Sequence, residues 1–465
     1  MTQSVSKAAG RPLPGHYRWL VLAAMSLICF AQYYIYDSIT PLGTTLQQEM
    51  GLSSENYGLL FSAYAFANVF LGMVLLAGVL VDKLGMRASG ILYGFFCFLG
   101  AFLTALGAWK GLPGLLGPGY DWLHGFIKPE WSPELKIMLL GRTIYGIGAE
   151  AILLVNNKVL ARWFSGKELA FAYGVNLTIM RLGTFLALNL QARAVGWMSL
   201  QGALDMAAAI MGVGFLTFFG YLALERASRG RVGAPAPMDT VSVPEDRFVF
   251  REAFTFNSAF WYIALLCVTF YSAVFPFMSF APSLLERKFG YSAAVAGSFT
   301  SMLILGTMIF TPILGWWVDR RGRRATLMIA GALLLIPCHL ALGLTRLWPV
   351  LPIFCIGLAL SLVPAALWAA IPMLVPQRNL GTAFGVVGWV QNFGLWLFPI
   401  VAGRLADART TKTVVDGKET LQVDYTLMML MFAGLAGVGF LFSLLVKAAD
   451  ARRRDGISIE KVMRT

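Results

Sequence analysis

The feature that most constrains this chain is a series of apolar runs, each long enough to cross a lipid bilayer. A spanning helix needs about 20 mostly apolar residues. Twelve such runs can be placed along the sequence, near 18–39, 57–81, 88–109, 135–157, 170–192, 204–224, 258–282, 294–318, 325–345, 349–374, 381–403 and 424–448. They are too long and continuous for the alternating strands of a membrane barrel. The sequence therefore predicts an all-α membrane protein with twelve transmembrane helices.

Charge is sparse and unevenly placed. Only 13% of residues are charged and the net charge is +13, whereas soluble domains carry about 25% charged residues. If both termini face the cytoplasm, 24 of the 37 Lys and Arg residues fall on that face and 11 on the other. This is the positive-inside asymmetry of membrane proteins. The basic balance therefore indicates topology rather than nucleic-acid binding.

The N-terminal stretch and the cysteines add further expectations. The N-terminus shows neither a cleavable signal pattern nor an acidic dileucine sorting signal. We therefore expect a multi-pass protein of a bacterial inner membrane, with both termini cytoplasmic. All five cysteines fall inside predicted spans, which favours small buried hydrophobes over a disulfide frame or metal site. We expect no cofactor, and a monomer without an obligatory protein partner.

The longest polar stretch divides the chain into two sets of six spans. It covers 225–257 and is rich in Pro, Ala, Gly and charged residues, as linkers are. The predicted organisation is an N-terminal half at 1–224, this cytoplasmic linker, a C-terminal half at 258–448 and a tail at 449–465.

A motif recurs on either side of the linker. Residues 78–87 read GVLVDKLGMR and residues 315–324 read GWWVDRRGRR, 237 residues apart. We expect Gly78 and Gly315 to permit close helix approach, and Gly85 and Gly322 to permit tight turns. The charged residues of the two loops form a predicted gating cluster: Asp82, Lys83, Arg87, Asp319, Arg320 and Arg324.

These loops resemble the signature of the major facilitator superfamily. The stretch GRTIYGIGAEA at 141–151 is also similar to the helix 4 motif of that family, with Arg142, Gly146 and Gly148 matching. The resemblance implies two pseudo-symmetric halves that rock about a site near the bilayer midplane. We place Arg142 close to the outer membrane face and give it a gating or structural role. Neither a Walker loop nor a Ser-His-Asp arrangement is evident, so an enzyme is not expected.

Two charges inside predicted spans are the strongest candidates for a site. Glu150 lies in GIGAEAILLVNN and Arg181 in NLTIMRLGTFLALN. A charge at the centre of a membrane helix costs about 2.5–3.5 kcal/mol, so such residues face a cavity or each other. From the predicted span ends the two charges lie about 10 and 16 Å deep. A direct salt bridge that ties two helices is the alternative.

Small or polar residues share a helix face with each charge. They are Thr143, Gly146 and Asn157 with Glu150, and Gly174 and Thr178 with Arg181. Further polar candidates point to the same interior: Tyr33, Tyr36, Asn68, Tyr271, Trp368, Gln391 and Asn392. Asp37 and Glu150 are embedded carboxylates and thus candidates for proton coupling. His339 is the one histidine in a predicted span, and we expect it to face lipid or scaffold.

Several longer stretches indicate which branch of the superfamily the chain resembles. They are YYIYDSITPLGTTLQQEMG, GRTIYGIGAEAILLVNNKVLARWFSGKELAFAYGVNLTIMRLG, FYSAVFPF, ALWAAIPMLVP and LGTAFGVVGWVQNFG. Together they resemble a bacterial relative of the lysosomal dipeptide uniporter branch of the superfamily. The resemblance implies a zwitterionic, peptide-like substrate whose ammonium group meets Glu150 and whose carboxylate meets Arg181. It also implies that a variable side chain meets the aromatic and amide candidates.

Two other functions stay open at this point. One is a carrier of small organic anions with Arg181 as the anion anchor, although a dicarboxylate normally calls for two basic groups. The other is a non-transporting receptor of the same fold, which has no evident need for two gating loops. Energy coupling, by uniport or with protons, is left open.

Overall fold

The computed structural model describes residues 14–164, 168–229, 254–415, 418–452 and 458–461. Side chains at 82, 319, 378 and 412–421 lie outside that description. Our expectations for Asp82 and Asp319 therefore concern side chains beyond the described part.

Helices account for the apolar runs of the N-terminal half, and shorter helices lie in the connections between them. They are α1 (Tyr17–Asp37), α2 (Gly43–Met50), α3 (Ser54–Phe70), α4 (Met73–Leu84), α5 (Met86–Gly107), α6 (Leu112–Leu116), α7 (Pro118–Gly125), α8 (Pro133–Trp163), α9 (Leu169–Trp197) and α10 (Leu200–Ser228). Ser53, Ser132 and Ser199 each accept a hydrogen bond from a first-turn amide, which explains where α3, α8 and α10 begin.

The C-terminal half repeats this arrangement with six long helices. They are α11 (Ser258–Phe289), α12 (Ala293–Arg321), α13 (Arg324–Leu344), α14 (Val350–Ala370), α15 (Leu380–Asp407) and α16 (Thr426–Ala451). Eleven helices of the described chain are long and apolar enough to cross a membrane, and the bent pair α3–α4 makes a twelfth span. The predicted twelve-span, mostly helical fold is thereby confirmed.

The second predicted span is broken rather than straight. Helices α3 and α4 meet at an angle of 61° around a two-residue break. Gly72 in that break has φ +64°, a left-handed conformation that glycine adopts without strain. A run of apolar residues shows that a span exists, but not that it bends.

Several details differ from the expected boundaries. Helix α10 continues through Glu225 to Ser228, four residues into the stretch interpreted as a linker. The loop between α5 and α8 contains the short helices α6 and α7. Strands β1 (Thr410–Val415) and β2 (Lys418–Val423) form an antiparallel hairpin between α15 and α16, with Thr410 opposite Val423. Hydropathy alone gave no signal for the hairpin.

Glycines allow the closest helix contacts in the N-terminal half. A Cβ on Gly148 of α8 would lie 2.5 Å from the backbone oxygen of Tyr93 on α5. A Cβ on Gly141 would lie 2.6 Å from the amide nitrogen of Thr104. Because any side chain there would clash with backbone, these positions fix α8 tightly against α5.

The two halves meet firmly at one end of the bundle. We call the end that carries Gly85 and Gly322 the loop end, and the opposite end, where α15 finishes beside the start of α3, the sealed end. At the sealed end both carboxylate oxygens of Asp407 accept hydrogen bonds, from the amides of Ser54 and Glu55, each at 2.8 Å. These contacts join the halves across the N-terminus of α3.

Candidate functional site

A central cavity of about 270 Å³ lies between the two halves. It is lined by Gln32, Tyr33, Tyr36, Asp37, Tyr64, Tyr145, Glu150, Leu153, Arg181, Thr184, Tyr271, Phe275, Met278, Gln391, Asn392 and Leu395. Of the residues proposed from the sequence as substrate-binding, only Asn68 and Trp368 are not among the lining residues. The structure therefore brings most of that set into one chamber.

Glu150 is held in the cavity by a hydrogen bond from α3. The hydroxyl of Tyr64 donates to Oε1 of Glu150 at 2.8 Å. The Glu150 side chain is half-buried, because the cavity leaves part of it accessible. A carboxylate held in this way can still accept hydrogen bonds from a cationic group through its remaining lone pairs.

Arg181 reaches the same cavity from α9. Its guanidinium carbon lies 6.0 Å from the ring centroid of Tyr33 on α1, at the outer limit of a cation–π contact. Within the described ranges, Arg181 has neither a hydrogen-bond acceptor nor an ion-pair partner. Its planar fork of donors is thus available for a carboxylate.

Glu150 and Arg181 do not pair with each other. Among the described residues, no ion pair within 4.0 Å joins them. Helix α8 ends at Trp163, six residues later than predicted, so Glu150 lies 13 residues from its end. Arg181 lies 12 residues from the start of α9 at Leu169. Counted from these helix ends, the two charges lie about 20 and 18 Å along their helices at 1.5 Å per residue, so the helix ends do not reproduce the 6 Å difference obtained from the predicted span ends.

The C-terminal half supplies an aromatic and amide wall. Tyr271, Gln391 and Asn392 line the cavity from α11 and α15. Trp368 stands behind this wall and donates from Nε1 to the hydroxyl of Tyr271 at 3.0 Å. Asn68, which is fully buried, donates to Oδ1 of Asn392 at 3.1 Å and so links the halves beside the cavity.

Arg142 is buried in the N-terminal half. It is 1% exposed, and its guanidinium donates to the carbonyls of Ile35, Tyr36 and Leu60, each at 3.1 Å. Two of these carbonyls, those of Ile35 and Tyr36, belong to the last turn of α1, and that of Ile35 also accepts a hydrogen bond from the hydroxyl of Ser38 at 2.9 Å. The depth of Arg142 near the outer membrane face stays a prediction. Although Arg142 lies 5.5 Å from the ring of Tyr145, it is committed to backbone acceptors and does not line the cavity.

The predicted small faces of the two helices have mixed roles. Gly146 does not line the cavity: a Cβ there would lie 2.2 Å from the backbone oxygen of Tyr64, so the glycine serves helix packing. Thr143 bonds to the carbonyl of Leu139 on its own helix. Thr178 is exposed. These three residues share a helix face with Glu150 or Arg181 but do not line the cavity.

Several lining residues escaped the sequence analysis. Tyr64 and Tyr145 are aromatic residues in apolar runs and look like packing, although Tyr145 lies within the GRTIYGIGAEA motif. Thr184 is three residues after Arg181 and Phe275 four after Tyr271, spacings that share a helix face. Their spacing from Arg181 and Tyr271 could therefore have predicted Thr184 and Phe275 as lining residues.

Asp37 and His339 occupy contrasting environments. Asp37 lines the cavity and is 2% exposed, and its Oδ1 has no hydrogen-bond partner in the described part of the chain. His339 is buried away from the cavity between the rings of Phe277 and Phe432, at centroid distances of 5.1 and 5.7 Å. Of the two, only Asp37 can act on a substrate in the chamber.

The repeated loops differ in their surroundings. In the first, Nε of Arg87 donates to Glu225 at 2.9 Å, and Glu225, 2% exposed, also pairs with Arg162 at 3.2 Å. In the second, Arg324 donates to the carbonyl of Lys461 in the C-terminal tail at 3.1 Å. Lys83 is exposed.

The glycines of the repeated loops form the expected tight turns but not the expected close helix contacts. Gly85 and Gly322 have φ +79° and +66°, as tight turns require. Gly78 and Gly315 do not mark close helix contacts: a Cβ on Gly78 would meet only a leucine methyl at 3.9 Å, and one on Gly315 nothing within 4 Å. Arg320 lies over its own helix, 4.3 Å from the ring of Trp316.

Comparisons with known proteins agree with this architecture. The model of the Major Facilitator Superfamily matches residues 22–399 and 263–461. The human lysosomal dipeptide transporter MFSD1 is 28% identical over 415 residues, covering 84% of this chain and 81% of that protein. A probable sulfoacetate transporter, SauU of Cupriavidus necator, is 22% identical and covers 92% and 94% of the two chains.

Among solved structures, the nucleoside transporter NupG has the same fold. It superposes with a TM-score of 0.64 at 16% identity, covering 93% of this chain and all of that one. The twelve spans, the repeated loops, the cavity between the halves and the family match lead to one conclusion: the chain belongs to the Major Facilitator Superfamily and is a secondary membrane transporter.

Proposed function

We propose that this transporter moves dipeptides, or similar small zwitterionic peptides, by alternating access. The observation that carries the proposal is that Glu150 and Arg181 line one cavity without forming an ion pair. A carboxylate and a guanidinium held apart suit a ligand with an ammonium group at one end and a carboxylate at the other.

The cavity volume is compatible with such a ligand. A space of about 270 Å³ is just below the usual range for pockets of drug-sized ligands, as suits a small substrate. The aromatic and amide side chains of Tyr271, Gln391 and Asn392 would face the substrate side chains. The similarity to the human dipeptide transporter, at 28% identity, supports the same substrate class.

The alternative is a carrier of small organic anions, favoured by the similarity to the probable sulfoacetate transporter. Arg181 would then be the anion anchor. A substrate with two acidic groups would need a second free cation, but Arg142 already donates to three backbone carbonyls. Glu150 would also repel a dianion, so the chamber fits a zwitterion better.

A ligand panel separates the two functions. Purified transporter is heated with dipeptides, free amino acids or dicarboxylates, and the melting temperature is recorded. A ligand that binds the folded protein at 100 times its Kd stabilises it by about 2.7 kcal/mol. We expect dipeptides to raise the melting temperature. Stabilisation by dicarboxylates alone would reject the peptide function.

Energy coupling and location follow from the same proposal. Asp37 and Glu150 are the two carboxylates that line the chamber, so a proton-coupled carrier would use one of them. In proteoliposomes, an imposed pH gradient drives uphill peptide uptake in a proton symporter but not in a uniporter.

We also place the protein in a bacterial inner membrane with the loop end cytoplasmic. Labelling of a cysteine introduced at the exposed position of Lys83 would test on which side of the membrane the loop end lies.

A further inference from the structure

Each of the two charged side chains Glu150 and Arg181 contacts a tyrosine, and the two do not pair with each other. Glu150 accepts the hydrogen bond from Tyr64, and Arg181 faces the ring of Tyr33. Opposite charges attract strongly inside a protein, where the effective dielectric constant is far below that of water. We propose that Tyr64 and Tyr33 hold Glu150 and Arg181 apart in the empty carrier, so that a substrate bridges them without first breaking an ion pair. This inference rests on the proposed peptide function.

Tyr64 is fixed in place by the packing of α3 on α8. The glycine at 146 brings the backbone of Tyr64 against α8, one turn before Glu150 on the same helix. The ring of Tyr64 then packs edge-on against Tyr36, with centroids 4.9 Å apart, and against Tyr145 at 5.7 Å. Since its ring is already held, the phenol hydroxyl meets Glu150 at little further cost in conformational entropy.

The two tyrosines act through different groups. Tyr64 acts through its hydroxyl, which is the donor to the carboxylate. Tyr33 acts through its ring face, which attracts a cation whether or not the ring carries a hydroxyl. The same substitution, tyrosine to phenylalanine, is therefore expected to release Glu150 at position 64 and to leave Arg181 in place at position 33.

Release of either charge closes the site to substrate. Without the hydroxyl of Tyr64, Glu150 is left to the one cationic side chain among the described residues that line the cavity, which is Arg181. A substrate must then compete with that ion pair, and its apparent affinity falls by the fraction of carriers in which the pair is open. Tyr64 is thus a positioning residue, which acts on the substrate through Glu150.

The first test needs no substrate. Melting temperatures are measured for Glu150→Gln, Arg181→Gln and the double variant, in the parent chain and in the Tyr64→Phe and Tyr33→Phe backgrounds. Charges that do not interact give additive effects, whereas paired charges do not. We expect additive effects in the parent and in Tyr33→Phe, and a non-additive result in Tyr64→Phe. Additivity in all three backgrounds, or coupling already present in the parent, overturns the proposal.

The second test measures peptide binding. Tyr64→Phe should weaken dipeptide affinity about tenfold, since a competing ion pair worth one typical charged hydrogen bond must open first. Tyr33→Phe should bind as the parent does, and Tyr33→Leu should bind more weakly. Unchanged affinity in Tyr64→Phe contradicts the role of its hydroxyl. If the parent itself ignores dipeptides, the proposed function fails, while the melting experiment still reports on the pair.

Discussion

The two halves of the transporter contribute different chemistry to the central cavity. The N-terminal half supplies the charges of Asp37, Glu150 and Arg181, whereas the C-terminal half supplies the neutral side chains of Tyr271 and Asn392. Because Glu150 and Arg181 belong to one half, a rocking motion of the halves leaves their separation unchanged. For the proposed peptide substrate, the N-terminal half would bind the parts common to all dipeptides, and the C-terminal half the parts that vary.

The repeated loops also differ between the two halves, in the groups that their arginines bind. Arg87 in the N-terminal half binds the carboxylate of Glu225, which is buried and also paired with Arg162. Arg324 in the C-terminal half binds backbone carbonyls of the tail, including that of Lys461. Two loops that share one motif thus contact different groups: a buried carboxylate in the N-terminal half, and main chain of the tail in the C-terminal half.

The largest effect is expected from removal of either charge. Arg181→Gln or Glu150→Gln leaves one substrate terminus facing an uncharged amide, and the loss of a buried charged contact costs about 2–5 kcal/mol. Dipeptide affinity should fall by roughly 30-fold or more, as measured by titration with a dipeptide.

Two exposed residues away from the cavity serve as matched controls. Glu130→Gln and Arg346→Gln make the same chemical changes at the surface and should bind dipeptides as the parent does. If Arg181→Gln still takes up peptide normally, Arg181 is not the carboxylate clamp and the assignment of charge recognition to the N-terminal half is wrong.

An intermediate effect is expected in the repeated loops. Arg87→Gln removes one of the two arginines at a buried carboxylate, which costs about 1–3 kcal/mol. Arg324→Gln weakens the hydrogen bonds to the neutral carbonyls of Ile459 and Lys461 and should cost less. Thermal unfolding of the two variants measures the difference. Equal losses would show that the tail supports its loop as strongly as Glu225 supports the other.

The smallest effect is expected in the aromatic wall. Tyr271→Ala removes the acceptor for Trp368 and enlarges the space for a substrate side chain. Affinities for dipeptides with different side chains should change by about three- to tenfold relative to one another, since a poorly filled pocket costs about 1 kcal/mol. A panel of dipeptides tests this. A uniform loss over the whole panel would mean that Tyr271 contacts a part common to all peptides.

Much of this architecture could be predicted from the sequence, for reasons that are local. Bilayer thickness sets the length of each span, and the cost of a buried charge singles out Glu150 and Arg181. The partners of Arg142 could not be predicted, because its three acceptors come from the backbone of α1 and α3, distant in sequence. Tyr64 was missed for a related reason: its hydroxyl matters only once the glycine at 146 brings two helices into contact.

The hydrogen bonds to the carboxylate of Asp407 offer a way to follow the opening of the sealed end. Asp407 accepts hydrogen bonds from the backbone amides of Ser54 and Glu55 in the opposite half. Both amides therefore have an acceptor within the protein while the sealed end is closed. When that end opens, the same two amides meet water and become free to exchange with deuterium. Under the proposed alternating access, their exchange rate in an unlabelled transporter would thus record how often the carrier turns to the other side of the membrane.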